Sequence, residues 1–548
     1  MLTPEQLAYC ADDMVRLYSQ LDEAIVRDVA RRITKAGTMT ETGRFQINAL
    51  QNVGMLYDDI LKTVSSYTGK SESILFDLFE NAALWSVEYD MDIYAANGLN
   101  PIPLNMSPAA MQVLEAGYIK TNGNINNLTR TTANTSQVSF IDACTFAEMK
   151  AESGAFSYEQ VIADAIKQIA IPGGCVLYPS GRKDKIDVAV RRNVMTGVGQ
   201  TTGQICLGYA QDMGCDLMEI TAHCGARPSH SSWQGQIVSL SGRKGYLSLS
   251  DIGYGTGDGF KGWNCRHDWY PYFEGSPQMY SEKDIEELNA ENIKFPDGSM
   301  HTYYEAEQYQ RAYERAIRET KRILAAQDEC IKNTSSESLK RAVQNDFDKF
   351  SIKLKKQEAK LNDFCNKTGL LKDNARVQKY GFGRSTAQRA RGSANKHYKT
   401  WSNEHNINNI KTLADYYNVK YNDSERYALL KRYVNSVDKG MLSPMTGFDL
   451  YEEYYNKIQN ELIGLTTSSG IEIKSQSKHF LERIFGTKED PTHNNEIRSG
   501  VAFDDIKDAL LHGKTRVTHG GQSILHYNDR CGITVNPHTG NLIQTNPR

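Results

Sequence analysis

No stretch of the 548 residues approaches the ~18 consecutive apolar residues a membrane-spanning helix needs, so a helical membrane protein is not expected. A dominant charge is missing too. Sixty-three Lys and Arg stand against 66 Asp and Glu, a formal net charge of -3, so no global field draws the chain onto nucleic acid, although a local patch still could. Cysteine is thin: ten residues are scattered without a dense framework, which fits free thiols in a reducing compartment better than a disulfide scaffold. The opening Met1-Leu-Thr-Pro-Glu-Gln has neither a basic n-region nor an apolar h-region, so no secretion signal is expected and synthesis is placed in the cytoplasm. Internal repeats and low-complexity tracts are also lacking. What is present is ordinary for a protein with real cores, 40% hydrophobic and 24% charged residues. At roughly 150 residues per domain, the length predicts three or four domains.

Along the chain, residues 1–170 read as a helical region. Leu17, Leu21, Ala24, Ile25, Val29 and Ile33 recur at helical spacing, as do Leu75, Leu78, Phe79, Ala82 and Ala83, and Tyr158 to Ile169. Asn100-Pro-Ile-Pro and the Asn/Thr-rich Thr121–Gln137 stretch read as breaks. Residues 171–280 change character: glycine is dense, Ile186–Val190, Met218–Ala222 and Gln236–Leu240 look like strands, and Thr201–Asp212 looks like a helix. Residues 281–365 predict a long helical arm, with Tyr303–Gln327 and Ser335–Phe364 almost free of Gly and Pro. Residues 366–465 read as a basic linker and helical connector. Within them, Asn366–Thr400 carries nine Lys/Arg against the single acid Asp373, and is either a solvated linker or a contact for a polyanion such as packaged DNA. Residues 466–548 form a last small unit. Strand-like Gly470–Lys474 leads to a helix at Lys478–Phe485 and a second at Phe503–Leu511, and four short strands follow, the last two joined by an Asn536-Pro-His-Thr-Gly turn. The expected fold class is multidomain α+β: a helical N-terminal region, a central α+β domain with long loops, the helical arm and a small C-terminal α+β domain.

The densest sequence is Ala222-His-Cys-Gly-Ala-Arg-Pro-Ser-His-Ser-Ser-Trp-Gln-Gly, followed by Gly253-Tyr-Gly-Thr-Gly and Gly262-Trp-Asn-Cys-Arg-His. Three readings compete. His223, Cys224, His230, Cys265 and His267 are ligand types suited to zinc, but they lack the paired Cys-x2-Cys or His-x3-His spacing. Cys224 or Cys265 beside a histidine could act as a nucleophile, but no orienting third residue can be named. The favoured reading is structural: Arg227, Arg243, Arg266 and the imidazoles hold loop carbonyls and carboxylates, and the glycines allow tight turns. On that reading no metal and no cofactor is called for.

These strings resemble the phage minor capsid protein 2 family, related to Mu F-like head proteins that carry a similar Asn-Cys-Arg triplet. The resemblance runs over about residues 1–385, since Asp363-Phe-Cys-Asn-Lys-Thr-Gly-Leu also looks like the family's C-terminal helix and turn. The residues that carry it are His223, Gly225, Arg227, Pro228, His230, Trp233, Gln234, Gly235, Asn264, Cys265, Arg266 and His267. It implies a low-copy virion protein at or near the portal vertex, acting in head assembly with the portal or other head proteins as partners. It also implies travel with the ejected genome into the host, and no enzymatic activity for residues 1–385.

The C-terminal unit is rich in histidine. Six of the 12 lie between His479 and His538, with Cys531 standing alone among them. That pattern argues for acid–base chemistry or ordinary surface use rather than a zinc knuckle. His479 and Arg483 are one helical turn apart on one face. Thr545 ends the last predicted strand, where a hydroxyl could donate to phosphate, and His493 and Arg498 lie in the loop after Pro491. A histidine-x3-arginine helix, several strands and Val535-Asn-Pro-x-Thr-Gly-x-Leu-Ile-Gln-Thr-Asn-Pro resemble the phage-borne barnase/EndoU/colicin/RelE-type nuclease domains. By that resemblance His479, Arg483 and Thr545 match active-site positions, Arg498 and His493 less clearly, and the domain would be a toxin-like, metal-independent ribonuclease acting on host RNA. Two rivals stand beside this reading: a purely structural virion protein whose last domain is a binding module, and a zinc-dependent enzyme centred on His223, Cys224, Cys265 and His267.

Overall fold

The protein is described from a computed structural model covering residues 1–36, 42–152, 155, 157–490 and 496–548. The chain divides into two compact units, Met1–Ala390 and Arg391–Arg548.

In the first unit, α1 (Pro4–Tyr9), α2 (Asp12–Ala36), α3 (Thr42–Ala96), α4 (Pro108–Glu152) and α5 (Tyr158–Ala170) come in succession. A small hairpin of β1 (Cys175–Leu177) and β2 (Lys183–Lys185) leads into α6 (Ile186–Asp212), whose buried residues run along most of its length. Asn100-Pro-Ile-Pro does separate α3 from α4. Two local expectations fail here.

Ile186–Val190 is the first turn of α6, not a strand. A strand would bury Ile186, Val188 and Val190 on one face. Instead Val188 is 37% exposed, while Ile186, Ala189, Val190, Val194 and Val198 are buried at helical spacing. Nor does Thr121–Gln137 break the chain; it lies inside α4. The hydroxyls of Thr129, Thr131, Thr132, Thr135 and Ser136 each donate to the carbonyl four residues back, at 2.7–2.9 Å, so residues with poor helix propensity are satisfied within the helix itself. Small size explains the rest: α4 and α6 cross so closely that a Cβ on Gly117 would collide with Thr201, and one on Gly197 with Thr121.

Against α6 lies a four-stranded sheet, order β5-β4-β3-β6, built from β3 (Leu217–Ile220), β4 (Ile237–Ser239), β5 (Leu247–Ser248) and β6 (Trp269–Tyr272). The central strand β3 is antiparallel to both β4 and β6. The fully buried Trp269 fixes sheet to helix, its indole Nε1 donating to the Gly203 carbonyl at 3.3 Å. The one-turn helix α7 (Pro228–Ser231) sits in the loop between β3 and β4, and α8 (Glu282–Asn289) with the hairpin β7 (Ile293–Lys294) and β8 (Met300–His301) follows β6.

The two long charged segments form α9 (Tyr303–Asn333) and α10 (Glu337–Thr368). Thr302 and Glu305 make a reciprocal cap at the start of α9, and Gly369 closes α10 at φ 75°. The hairpin packs against α2 and α5 through ions as well as apolar groups. Asp22, fully buried, accepts from Arg322 at 2.9 Å, from Lys379 and from the Gly174 amide. Glu329 holds Arg27 and Arg31, both at 2.9 Å.

The boundary between the units falls within α11 (Arg384–Glu404), so the latter part of the expected basic linker is helix. Four of its nine cations are paired with carboxylates in the described residues: Lys379 with Asp22, Arg389 with Asp328 and Lys367 with Asp363, both at 2.8 Å, and Arg376 with Asp373 at 3.2 Å.

In the second unit α12 (Leu413–Asn422), α13 (Ser424–Asp438) and α14 (Phe448–Glu461) share one core with the terminal α+β layer. That layer holds a five-stranded sheet, order β12-β13-β14-β15-β9. Its strands are β9 (Ser475–Gln476), β12 (Lys514–Thr518), β13 (Ser523–Tyr527), β14 (Cys531–Val535) and β15 (Asn541–Pro547), with β9 parallel to β15 and the other pairs antiparallel. Two helices, α15 (Lys478–Ile484) and α16 (Phe503–His512), pack on it, and β10 (Thr487–Asp490) pairs with β11 (Glu496–Arg498). Gly470–Lys474 supplies only an isolated bridge, Thr466 to Glu472, and the strand proper starts at Ser475. The Asn536 turn forms as expected, its side-chain oxygen accepting from the His538 and Thr539 amides at 2.9 and 3.0 Å.

Candidate functional site

The central cluster grows from three short segments. Strand β3 runs on through Thr221 and Ala222 into His223, which is 9% exposed. Gly225, at φ 78°, turns the chain toward Arg227 and Pro228, the cap and first residue of α7. One turn of helix then carries His230 inward, and Trp233, Gln234 and Gly235 (φ 71°) lead into β4. The third segment, Gly262 to His267, precedes β6. Gly259 and Gly262 have to be glycine, because a Cβ on either would strike the backbone of the Gly253–Gly257 loop. Asn264, at φ 56°, turns the chain so that Cys265 and His267 both enter the interior.

The result is a buried triad. His230 is 2%, Cys265 5% and His267 1% exposed. The two Nδ1 atoms are 3.4 Å apart, and the Cys265 sulfur lies 3.5 Å from that of His267 and 4.0 Å from that of His230. Outer partners fix both rings. His230 Nε2 donates to the Asp258 carbonyl at 2.8 Å, and His267 Nε2 donates to Gln234 Oε1 at 3.2 Å. That oxygen is an acceptor because the His223 amide also donates to it at 3.1 Å, while the Gln234 amide nitrogen donates to Asn289 at 2.9 Å. His223 stacks on His267 with ring centroids 4.4 Å apart, and its Nε2 is buried with no hydrogen-bond partner among the described residues.

Burial sets the protonation state. It holds the His223 and His230 imidazoles down to about 4 and His267 well below its ordinary value, so all three are neutral at pH 7. Burial pushes the Cys265 thiol up, and partial desolvation by its neighbours does the same for the Cys224 thiol, away from the thiolate a nucleophile needs. Cys224 is exposed and stands outside the cluster, so the ligand set to consider is His230, Cys265 and His267 rather than one containing Cys224. The arginines of the motif are structural in their contacts. Arg227 donates to the Trp263 carbonyl, and Arg266 donates to the Gly225 carbonyl at 3.1 Å and to Glu307 at 3.4 Å, tying the loop to α9.

In the second unit Ser477 caps α15, which carries His479 and Arg483. Arg483 Nη1 donates to Gln544 and, at 3.2 Å, to Asn546 Oδ1, the same oxygen that Arg498 reaches at 2.7 Å. Arg498 ends strand β11 rather than lying in a loop. Two guanidinium groups thus converge at the end of β15, a feature suited to an anion. His479, 65% exposed, meets Glu482 at 3.4 Å. Thr545 is different: it is fully buried, and its hydroxyl has no hydrogen-bond partner among the described residues. It alternates along the strand with Gln544 and Asn546, so it faces away from the arginines. His493 lies outside the described residues. His526 is buried, its Nε2 2.8 Å from Ser469, and burial lowers its proton affinity. Sequence reading missed Gln544 and Asn546, whose only signal was their alternation with Thr545.

Residues 2–366 match the family described as phage minor capsid protein 2. A structural protein of Lactococcus phage LL-H is 26% identical over 323 residues, which is 56% of this chain and 83% of that protein. A structural protein of Lactococcus phage mv4 is 40% identical over 94 residues, 17% of this chain and 66% of that protein. No solved structure matches the chain.

Proposed function

This chain belongs to the phage minor capsid protein 2 family, and from that premise we propose that it is a head component near the portal vertex, docking on the portal or on other head proteins. It would be made in the host cytoplasm, built into the virion and ejected with the genome. The observation that supports a building role for residues 1–385 is how the motif residues are used. Gln234 and the histidines bond one another and loop backbone in a buried cluster, and the partly exposed Arg227 and Arg266 bond loop carbonyls around it. That arrangement gives a rigid docking body rather than an open catalytic cleft, and it weighs against a zinc-dependent enzyme centred there.

For the second unit the reading best supported is a module that binds a phosphate-bearing polymer, with host RNA as the natural candidate. Arg483 and Arg498 converge on Asn546, and His479 stands one turn from Arg483 on the same helix. The exposed Arg384, Arg391, Lys396 and Lys399 of α11 are the cations available to touch packaged DNA. A second reading, metal-independent RNA cleavage, draws on the same pairing of His479 with Arg483. It lacks the exposed hydroxyl that Thr545 was expected to provide.

The full-length chain incubated with tRNA separates the readings. Retention of intact RNA that weakens several-fold in Arg483→Gln supports the binding module. Cleavage that disappears in His479→Ala supports the ribonuclease. Neither retention nor cleavage would leave a purely structural protein.

A further inference from the structure

We propose that His230, Cys265 and His267 form a structural zinc site that staples the long loops of the first unit. The first argument is dimensional. Tetrahedral zinc, with bonds of ~2.0–2.1 Å to nitrogen and ~2.3 Å to sulfur, sets its ligands about 3.3 Å apart for a nitrogen pair and about 3.6 Å apart for nitrogen and sulfur. The observed separations are 3.4 Å between the two Nδ1 atoms, and 3.5 and 4.0 Å from sulfur to nitrogen. Three corners of a zinc tetrahedron are therefore in place.

The second argument is hydrogen-bond accounting. Each ring spends its Nε2 proton on an outer acceptor, the Asp258 carbonyl for His230 and the Gln234 side-chain oxygen for His267. In a neutral imidazole the other nitrogen is then a bare acceptor. Two bare Nδ1 lone pairs lie 3.4 Å apart in a buried interior, and the single Cys265 thiol proton can satisfy only one of them. A divalent cation satisfies both at once. Outer acceptors that orient ligating imidazoles are also what zinc sites have around them.

On binding, Cys265 loses its thiol proton to solvent and coordinates as thiolate, so uptake releases one proton per chain. Among the described residues His230, Cys265 and His267 are the group of His, Cys, Asp and Glu close enough to share an ion. The fourth position falls to a water; His223, stacked on His267 with ring centroids 4.4 Å apart, stands outside that group. The role follows from the connections. His230 lies between β3 and β4, and Cys265 and His267 close the glycine-rich loop before β6, so one ion ties both long loops to the sheet.

The test uses the full-length protein purified with zinc and separately loaded with cobalt. The expected result is one zinc per chain, retained on dialysis and lost in Cys265→Ala and His267→Ala. Cobalt should give tetrahedral visible bands and a sulfur-to-cobalt charge-transfer band that zinc displaces. Because a variant could misfold, the cobalt spectrum of the unmodified protein stands alone as evidence. Metal content far below one per chain together with no sulfur band would overturn the proposal. So would full zinc content in a folded His230→Ala/Cys265→Ala double variant, which would place the ion elsewhere.

Discussion

Two histidine-bearing clusters share this chain, and burial alone sends them in opposite directions. Around His230 and His267 the side chains are buried, both Nε2 protons have an acceptor and the imidazoles are held neutral. Around His479 the side chain stands in solvent, and nearby Arg483 and Arg498 bring guanidinium groups that share an oxygen on Asn546. The same residue type therefore acts as a neutral packing and ligand group in one unit and as an exposed polar group in the other. Counting histidines would rank the second cluster first; solvation reverses the ranking for any chemistry that needs a fixed geometry.

Removing one charge from each unit should break the comparison most sharply. Asp22→Asn in the first unit leaves Arg322 and Lys379, both nearly inaccessible, without their shared counter-charge. Breaking a buried pair in this way costs about 3–5 kcal/mol. Arg483→Gln removes a half-buried cation that bonds the side chains of Gln544 and Asn546 near the solvent, and should cost less, about 1 kcal/mol. Urea unfolding of the full chain, followed by tryptophan fluorescence, checks both. Equal midpoint shifts would show that the first unit's ions are not supporting its fold.

Some of this was legible in the sequence and some could not be. The apolar stripes at Leu17–Ile33 and Val161–Ile169 lie on buried helix faces, because a 3.6-residue period survives whatever packs against it. The Thr121–Gln137 stretch misled because propensity does not know that a hydroxyl can bond the preceding turn or that a neighbouring helix needs small residues there. The central motif was conspicuous, but its spacing hid the triad. His230 reaches Cys265 and His267 only because two separate loops converge, so no short ligand pair appears along the chain. The Asp22–Arg322–Lys379 set was invisible for the same reason, its acid lying 300 residues or more from either cation.

A pH-dependent test sharpens the contrast further. Glu23, next to Asp22, is 1% exposed, and neither carboxylate oxygen has a hydrogen-bond partner among the described residues. Burial, only partly offset by Lys379, pushes its carboxyl up to about 7. A carboxyl raised in the folded state contributes stability that is fully present below its unfolded value of about 4.5, and loses it as pH rises through 7. Glu23→Gln cannot ionise, so it should match the parent near pH 4 and exceed it by about 1–3 kcal/mol at pH 8. Melting curves across that range check the sign. A Gln variant no more stable than the parent at pH 8 would mean that the carboxylate is compensated after all.

The smallest expected effect lies in the second unit and discriminates most finely. Thr545 is buried on β15 opposite Ile533, with its hydroxyl unpaired among the described residues, while Gln544 and Asn546 on either side hold the arginine. Thr545→Val keeps the shape and removes the buried polar atom, so stability should stay level or rise by up to about 1 kcal/mol. RNA retention by the full chain should not change, because the arginines and His479 are untouched. An active-site hydroxyl predicts the reverse, with cleavage lost while the fold is kept. A Thr545→Val protein that melts no lower than the parent and holds tRNA equally well assigns Thr545 to the core. One that is equally stable but has lost a cleavage activity the parent possesses restores the ribonuclease and requires β15 to turn that side chain outward when substrate arrives.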